Sequence, residues 1–222
     1  MASIPVPRQV APAADWFSQS IEIGERVFAL ALLSLLAAPI LACAAVLGIL
    51  SRRTPLIAHR RVGWRGATLW MFKLRTMWSG EGPASTESTT SLWVEYIEDV
   101  NGPELKQDRD PRVSNWFARF CRRHSIDELP QLWHVIRGEM SLVGPRPVTD
   151  TEMRRYYDSD AMEVLQVKPG IAGLWQTSGR NRLTYAERRA LDLEFVRHRS
   201  PRMYLRILLR TLPEVWSGSN SW

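Results

Sequence analysis

An uncharged apolar segment near the start of the chain constrains its fold more than any other feature. It runs from Val27 to Ser51, between Arg26 and Arg52. As a helix rising about 1.5 Å per residue, it is long enough to cross the roughly 30 Å core of a bilayer. The segment therefore predicts a membrane helix, and a single crossing is the simplest interpretation.

Two features of this segment favour a helix that enters the membrane and returns to the same side. Pro39 lies in its middle, where a proline removes a helix hydrogen bond and kinks the axis. Positive charge lies on both sides, and such charge marks the cytoplasmic end of a membrane helix. The flanking arginines are Arg8, Arg26, Arg52, Arg53, Arg60, Arg61 and Arg65. We therefore predict an interfacial lead-in and a re-entrant helix-break-helix over residues 16–53, bent at Pro39.

A cleaved signal peptide is a weaker alternative. Ala42, Cys43 and Ala44 resemble the small residues of a cleavage site. The apolar segment continues beyond them, however, and it starts late in the chain, behind the acidic Glu22 and Glu25. We therefore expect the segment to be retained.

The rest of the chain has the pattern of a small α+β domain. Residues 1–15 are rich in proline and predict a flexible tail, and residues 54–222 predict a domain that faces the cytoplasm. Short strands with apolar-polar alternation are expected on either side of a turn at Gly63–Gly66. Residues 79–91 are polar and rich in turn-forming residues, which predicts a flexible loop.

Four helices are predicted in this domain. They run from about Ser114 to Arg123, from Ser125 or Asp127 through Ile136, from Thr184 onwards, and from Met203 to Trp216. Thr184 and Glu187 have the spacing of a capping box. The last helix carries Arg202, Arg206 and Arg210 at steps of four, between leucines. Such a basic amphipathic helix suits the headgroup layer of a membrane, and packing on the protein core is the alternative.

The composition indicates an anionic partner. The net charge is +6 and the isoelectric point is near 9.8, which suits nucleic acid, an anionic membrane surface or a phosphorylated substrate. No nucleic-acid-binding motif is present, so we exclude nucleic acid. Ten tryptophans suit a membrane interface. The two cysteines and four histidines show neither a disulfide framework nor the spacing of zinc ligands.

Two adjacent carboxylates, Asp127 and Glu128, are the leading candidates for catalysis. Ser125 and Glu128 have capping-box spacing, and Pro130 is tolerated only in the first turn of a helix, so the pair is expected at a helix N-terminus. The helix dipole favours ionised carboxylates there. Such a group can attack phosphorus or bind Mg²⁺. The alternative is that the acids only favour the helix start.

Basic residues in turn-like contexts support chemistry on a phosphate. A diphosphate needs several donors of fixed geometry, and arginines in turns bounded by glycine and proline can provide them. The candidates for binding phosphate or substrate are Lys73, Arg75, Arg112, Arg122, Arg146 and Arg180.

Three sequence blocks resemble those of the bacterial sugar transferases, the monotopic phosphoglycosyl transferases. The blocks are KLRTM from Lys73, HSIDELPQLWHVIRGEMSLVGPRP from His124 and VKPGIAGLWQTSGRN from Val167. The resemblance covers roughly Glu22 to Trp216. It implies transfer of a sugar-1-phosphate from a UDP-sugar to undecaprenyl phosphate at the bacterial inner membrane, as the first membrane step of exopolysaccharide synthesis. The donor sugar stays open between galactose, glucose and an N-acetylated sugar, and a homodimer is a possible assembly.

The resemblance also implies residue roles. Asp127 would be the nucleophile, forming a covalent phosphosugar-aspartate and expelling UMP, and Glu128 would help it hold Mg²⁺. Arg122, Arg146 and Arg180 would bind phosphate groups. Their charges would offset those of the substrates.

Four positions depart from the family pattern, and two of them leave a second hypothesis open. Those two are Ala38, which replaces the serine before Pro39, and Tyr204, which lies where the family often has an acid. The others are His134, where asparagine is usual, and Lys168, where arginine is common. A catalytically silent membrane scaffold for polysaccharide assembly is therefore the alternative function. The intact Asp127–Glu128 pair argues against it.

Overall fold

The computed structural model describes residues 16–78, 86–90, 93–99, 113, 115–178 and 183–217. Its mixture of helices and strands confirms the predicted α+β class. The helices are α1 (Trp16–Ser51), α2 (Trp116–Arg123), α3 (Leu132–Arg137), α4 (Asp150–Glu152), α5 (Ala161–Val164), α6 (Tyr185–His198) and α7 (Pro201–Ser217). The strands are β1 (Leu56–Val62), β2 (Thr68–Leu74), β3 (Thr86–Thr90), β4 (Val94–Asp99), β5 (Ser141–Val143) and β6 (Gly170–Ala172). The predicted tail, residues 1–15, lies outside the described residues.

A four-stranded sheet with the order β2-β1-β4-β3 lies next to α1. β1 pairs antiparallel with β2, with Ala58 opposite Phe72, and pairs parallel with β4. The turn between β1 and β2 contains Gly66 at φ +78°, a conformation that glycine adopts without strain. The predicted turn is therefore confirmed. β5 and β6 form a separate parallel pair.

Strand β3 corrects the prediction of a loop over residues 79–91. Thr86–Thr90 pairs antiparallel with β4, so the loop prediction is wrong for this segment. The prediction relied on polar composition, which does not separate a loop from a solvated strand of an antiparallel pair. The β-branched threonines favour an extended backbone once β4 supplies hydrogen bonds. Residues 79–85 and 91 lie outside the described residues.

Helix α1 is one helix of 36 residues that continues through Pro39. The predicted division into two helices at Pro39 is therefore not confirmed. A proline removes one backbone hydrogen bond, and neighbouring groups can compensate for that loss in an apolar helix. Within Ile21–Ser51, a window of 18 residues reaches a mean hydropathy of 2.6, and this is the one described helix that is long and apolar enough to cross a membrane.

One face of α1 packs against the α+β domain at both ends of the helix. Near its start, Ala29 joins a core cluster with Met71 of β2 and Val135 of α3. Near its end, Leu47 joins a second cluster with Cys121 of α2. Burying such side chains stabilises the fold by about 1.5–3 kcal/mol for each large one. The opposite face of α1 is apolar and exposed, which suits contact with lipid. Its exposed residues include Ile23, Val27, Phe28, Leu30, Leu35, Leu41, Val46, Ile49 and Leu50.

A buried carboxylate joins α1 to two other elements. Glu25 accepts hydrogen bonds from the Ser141 hydroxyl at 2.5 Å and from the Leu142 backbone N–H at 2.7 Å. The Tyr204 hydroxyl of α7 also donates to Glu25. Burial raises the pKa of Tyr204, so its hydroxyl keeps the proton that it donates. The acid that the family often has at position 204 is thus replaced by a tyrosine that binds an acid on α1.

Helix α7 confirms the predicted C-terminal helix and extends from Pro201 to Ser217. Ile207 is buried against the domain, whereas Leu205 and Leu209 are 56% and 58% exposed. The three arginines of this helix are exposed as well. Exposed leucines beside exposed arginines are typical of a helix in the headgroup layer of a membrane.

We expect Glu25→Gln to lower the free energy of unfolding by about 1–3 kcal/mol, because a neutral amide oxygen accepts the three hydrogen bonds to Oε1 more weakly than a charged carboxylate does. The thermal unfolding midpoint of purified protein in detergent measures this loss. Glu194→Gln, at an exposed acid on α6, is the matched control and should leave the midpoint unchanged. Equal midpoints for both variants would contradict the role of Glu25.

Candidate active site

The two candidate carboxylates lie in a 3₁₀-helical segment, Ile126–Gln131, that joins α2 to α3. Both are in its first turn, as predicted, but the α-helix itself begins only at Leu132. Asn115 caps the preceding helix α2 by accepting a hydrogen bond from the Phe117 N–H at 2.7 Å. The acid pair is thus held between two short helices that both contact α1.

The predicted capping box between Ser125 and Glu128 is wrong. Ser125 has a left-handed backbone conformation, with φ +54°, and its side chain makes no capping hydrogen bond. An N-cap residue needs an extended backbone to direct its side chain at the helix. The Glu128 carboxylate instead binds the Lys73 ammonium group, at 2.8 Å between Oε1 and Nζ. The pattern was misleading because the partner of Glu128 lies on a distant strand.

Lys73 comes from β2, which lies at the edge of the described sheet. Because β2 lies at the edge of the described sheet, its unpaired side can face the segment that carries Asp127 and Glu128. Both partners of the Lys73–Glu128 pair are partly exposed, at 20% and 25% of their side-chain surface. The pair therefore borders open space that a charged substrate can enter. The structure places Lys73 against Glu128, the sequence neighbour of Asp127, and the role of these three residues in a site stays a prediction.

Asp127 is more buried than its neighbour, with 7% of its surface exposed. Its charge acts on the nearby Cys121 thiol. Burial is the largest of the effects that raise the pKa of Cys121 to about 12, and electrostatic interactions with Cys43 and Asp127 add to it. Cys121 therefore stays a neutral thiol at physiological pH, and Asp127 is the stronger candidate nucleophile of the two.

Arg75 occupies a different environment from the other predicted phosphate ligands. It is buried, and its guanidinium binds the Glu95 carboxylate at 2.5 Å and the Thr54 carbonyl at 2.7 Å. These contacts join β2 to β4 and to the end of the α1–β1 connection. They favour a structural role for Arg75, and its binding to phosphate stays a prediction.

Arg146 lies after β5, with its guanidinium 5.4 Å from the centre of the buried Trp175 ring. Arg188 of α6 lies 4.8 Å from the same ring. Attraction between guanidinium groups and an indole face stabilises this arrangement. Sequence reasoning missed Arg188, because it lies within a helix and not in a turn. The one available signal was its position directly after Glu187 of the capping box, which the structure confirms at Thr184.

The remaining predicted arginines are only partly covered by the structure. Arg122 is half-buried in the last turn of α2, three residues before Ser125. It is therefore on the side of α2 that leads into the acid pair. Arg112 and Arg180 lie outside the described residues, and their roles stay predictions.

A second buried acid, Asp192 of α6, lies behind the Arg146 turn. Its Oδ2 accepts a hydrogen bond from the Tyr157 hydroxyl at 2.6 Å, and 1% of its surface is exposed. Burial raises the pKa of Asp192 to about 7, although the Tyr157 hydrogen bond and the Arg146 charge act in the opposite direction. Sequence reasoning missed this residue because a lone acid in a helix resembles a solvated one.

The donor set around the acid pair suits Mg²⁺ better than a protein-enclosed metal. Within the described residues, no group of three or more histidine, cysteine, aspartate and glutamate side chains could hold a metal. Mg²⁺ is commonly bound by one or two carboxylates together with substrate phosphates. Asp127 and Glu128 supply that number of carboxylates, so the pair fits an ion that arrives with a diphosphate.

A comparison with known families assigns the chain. The sequence profile described as "Bacterial sugar transferase" matches residues 18–218. The chain belongs to the bacterial sugar transferase family. This match includes all but the first two residues of α1, the acid pair and every other predicted site residue, so the chain is a sugar transferase and the predicted resemblance is confirmed.

Named relatives agree with this family. An exopolysaccharide production protein ExoY of Sinorhizobium fredii is 42% identical over 164 residues, which cover 74% of this chain and 71% of the relative. A UDP-glucose:undecaprenyl-phosphate glucose-1-phosphate transferase of Caulobacter vibrioides is 37% identical over 206 residues, covering 88% and 70%. An undecaprenyl-phosphate galactose phosphotransferase of Salmonella typhimurium is 40% identical over 140 residues, covering 63% and 29%.

The raised pKa of Asp192 predicts a specific dependence of stability on pH. Its folded pKa of about 7 lies above the ordinary value of 3.8, so the folded state holds the proton more tightly than the unfolded state. The resulting stabilisation is complete below about pH 4 and is lost as the pH rises through 7. Asp192→Asn removes this titration and keeps an oxygen that accepts from Tyr157.

Thermal unfolding midpoints of both proteins between pH 4 and pH 8 measure this effect. The midpoint of the wild-type protein should fall relative to that of Asp192→Asn as the pH rises across this range. A constant difference between the two would show that Asp192 is not the titrating group.

Proposed function

We propose that this sugar transferase moves a sugar-1-phosphate from a UDP-sugar to undecaprenyl phosphate, releases UMP, and acts at the cytoplasmic face of the bacterial inner membrane. The observation that carries the proposal is the Asp127–Glu128 pair, bound by Lys73 and placed directly beside the membrane helix. The names of the relatives support it, because two of them act on undecaprenyl phosphate and one of these takes UDP-glucose.

The position of Asp127 suits a lipid acceptor. Its neighbour Ile126 packs in the same cluster as Cys43 and Leu47 of α1. The reacting carboxylate is therefore close to the surface where a membrane helix meets the domain. A polyprenyl phosphate whose tail stays in the bilayer can bring its phosphate to this place without leaving the lipid.

The proposed reaction has two displacements at one phosphorus atom. In the first, an Asp127 carboxylate oxygen bonds to the β-phosphorus of the UDP-sugar, the bond from that phosphorus to the bridging oxygen breaks, and UMP leaves with the bonding electrons. In the second, a phosphate oxygen of undecaprenyl phosphate bonds to the same phosphorus. The Asp127–phosphorus bond then breaks and the carboxylate is restored, which gives ping-pong kinetics.

Nearby charges support both steps. Lys73 lies on the Glu128 carboxylate and adds positive charge beside the acid pair, where charge builds up on the transferred phosphoryl group. Mg²⁺ held by Asp127 and Glu128 would further neutralise the diphosphate. Arg122, Arg146 and Arg180 would bind the phosphate groups of donor and acceptor.

Contacts along α1 support the re-entrant arrangement. The α1 residues of the first core cluster end at Leu33, and those of the second begin at Cys43. Between them, residues 34–42 belong to none of the clusters formed by the described residues. This stretch spans about 13 Å at roughly 1.5 Å per residue, less than half of a hydrocarbon core of about 30 Å. Pro39 lies within it.

A domain that contacts both ends of α1 cannot lie on one side of the bilayer if the helix crosses it. We therefore propose that α1 enters one leaflet with residues around Pro39 and that both ends stay on the cytoplasmic side. The exposed leucines and arginines of α7 would contact the same leaflet.

Single-cysteine labelling tests this topology. Gly24→Cys and Arg53→Cys lie at the two ends of the apolar segment, and a side chain at Gly24 meets no neighbouring atom within 4 Å. Both variants, made in a Cys43→Ser, Cys121→Ser background, should resist an impermeant maleimide in intact spheroplasts and react after lysis. Labelling of exactly one of them in intact spheroplasts would demonstrate a single crossing.

Replacement of the nucleophile tests the reaction. We expect Asp127→Asn to lower UMP release by at least about a thousandfold, because the amide cannot form the covalent intermediate. Purified protein with Mg²⁺ and undecaprenyl phosphate would be assayed against a panel of UDP-sugars, which also identifies the donor. Asp150→Asn, at an exposed acid on α4, is the control and should keep full activity.

Two outcomes would contradict the proposal. Full turnover by Asp127→Asn would exclude this residue as the nucleophile. No UMP release by folded wild-type protein with any UDP-sugar would favour the alternative of a silent scaffold.

A further inference from the structure

A buried histidine fastens the strand that carries Lys73 to the helix that follows the acid pair. His134 of α3 has 3% of its surface exposed. Its Nε2 lies 3.2 Å from the backbone nitrogen of Phe72, and its Nδ1 lies 2.7 Å from Oε2 of Glu139. Both ring nitrogens are therefore used, one towards β2 and one towards the turn after α3.

These two contacts define the protonation state of the ring. The Phe72 N–H can only donate, so Nε2 must be unprotonated to accept from it. Nδ1 then carries the single proton and donates it to Glu139. The other oxygen of Glu139 lies 2.9 Å from Nε of Arg137, which holds the carboxylate in place. The contacts thus require a neutral imidazole with the proton on Nδ1.

The strand position explains why a side chain is needed at this place. β2 has β1 as its one partner among the described strands, so its other edge cannot be completed by the sheet. A backbone N–H that is buried at such an edge costs free energy unless a side chain accepts from it. His134 supplies this acceptor for Phe72. The next residue, Lys73, contacts Glu128 on the same side of the molecule.

Two successive residues of β2 are therefore attached to two successive parts of the site. Phe72 is attached to α3 through His134, and Lys73 is attached to the 3₁₀ segment through Glu128. We propose that His134 is a positioning residue, whose neutral ring holds β2 so that Lys73 lies against Glu128 beside Asp127. This inference rests on the proposed function, because it assigns Lys73 and the acid pair to the reacting centre.

Protonation of His134 would release this attachment. A second ring proton on Nε2 would face the Phe72 N–H, so two donors would oppose each other. The Trp70 carbonyl on the same strand lies where it can accept from the protonated ring instead. His134 would then bind the Trp70 carbonyl and no longer the Phe72 N–H. This change of hydrogen-bond partner would move β2 relative to α3. Lys73 would then leave its position at Glu128.

The surrounding charges decide the pH range of this change. Glu139 favours the protonated ring and Arg137 opposes it. Arg26 of α1 lies over Gly138, the residue between them in sequence, and adds positive charge. Burial is the largest effect and lowers the pKa of His134 below its ordinary value of 6.5. The neutral ring therefore prevails at neutral pH, and the ring takes up its second proton at a more acidic pH than an ordinary histidine does.

The pH profile of UMP release tests the proposal. The kcat of the wild-type protein should fall at acidic pH, below 6.5, more steeply than that of His134→Gln. The glutamine side chain reaches as far as Nε2 and can accept from Phe72, but it does not titrate. At pH 8, we expect the kcat of His134→Gln to lie within about threefold of the wild-type kcat. At the most acidic pH of the profile, the kcat of His134→Gln should be at least about threefold higher than that of the wild type. His198→Gln, at an exposed histidine that ends α6, should retain the wild-type profile.

Superimposable profiles for wild type and His134→Gln would overturn the inference, as would a folded His134→Gln that is inactive at every pH. If His134→Gln does not fold, ¹⁵N-histidine NMR of the wild-type protein in detergent decides the question. We expect a Nδ1-protonated tautomer at pH 8, and a kcat that falls as this ring titrates. A kcat that stays constant through the titration would refute the inference. Absence of UMP release at pH 8 in the wild type would instead contradict the proposed function.

Discussion

The packing of α1 on the α+β domain is the contact on which the rest of the structure depends. From Val27 to Ser51 the helix carries no charged residue on any face, so one face can bury against the protein while the other faces lipid. Glu25 gives this contact its register, because its carboxylate must meet donors from β5 and α7 at once. A shift of α1 by one residue would leave a charge buried without these donors, which is costly.

The position of the candidate active site follows from this contact. α2, the 3₁₀ segment and α3 all lie on α1, so the acid pair between them is held beside this apolar helix. Strand β2 then approaches from the sheet and supplies Lys73. His134 and Glu128 attach neighbouring residues of β2 to this helical layer. Chemistry and membrane attachment are therefore parts of one packing arrangement, which suits an enzyme whose acceptor stays in the bilayer.

Local signals predicted those elements that short-range forces decide. The apolar segment, the capping box at Thr184 and the amphipathic pattern of α7 each rest on residues within a few positions of one another, and the structure contains all three helices. The sequence predictions that were wrong share a different cause, which is a partner far away in the chain. Strand β3 forms only because β4 supplies its hydrogen bonds. Glu128 binds Lys73, which is 55 residues away from it in sequence, and makes no capping box with Ser125. A distant partner also surrounds Arg75, since Glu95 on β4 binds its guanidinium, while its binding to phosphate stays a prediction.

The sequence by itself determined the long apolar helix, the α+β class and the family, and it selected the acid pair as the candidate site, because these depend on composition, periodicity and contiguous residues. Only the tertiary structure decided which charges face the site and which pair inside the protein. It placed Lys73 on Glu128, enclosed Arg75, buried Asp192 and attached His134 to an open strand edge. The physical reason is that burial and distance set the strength of a charge or hydrogen bond, and neither is visible until distant segments meet.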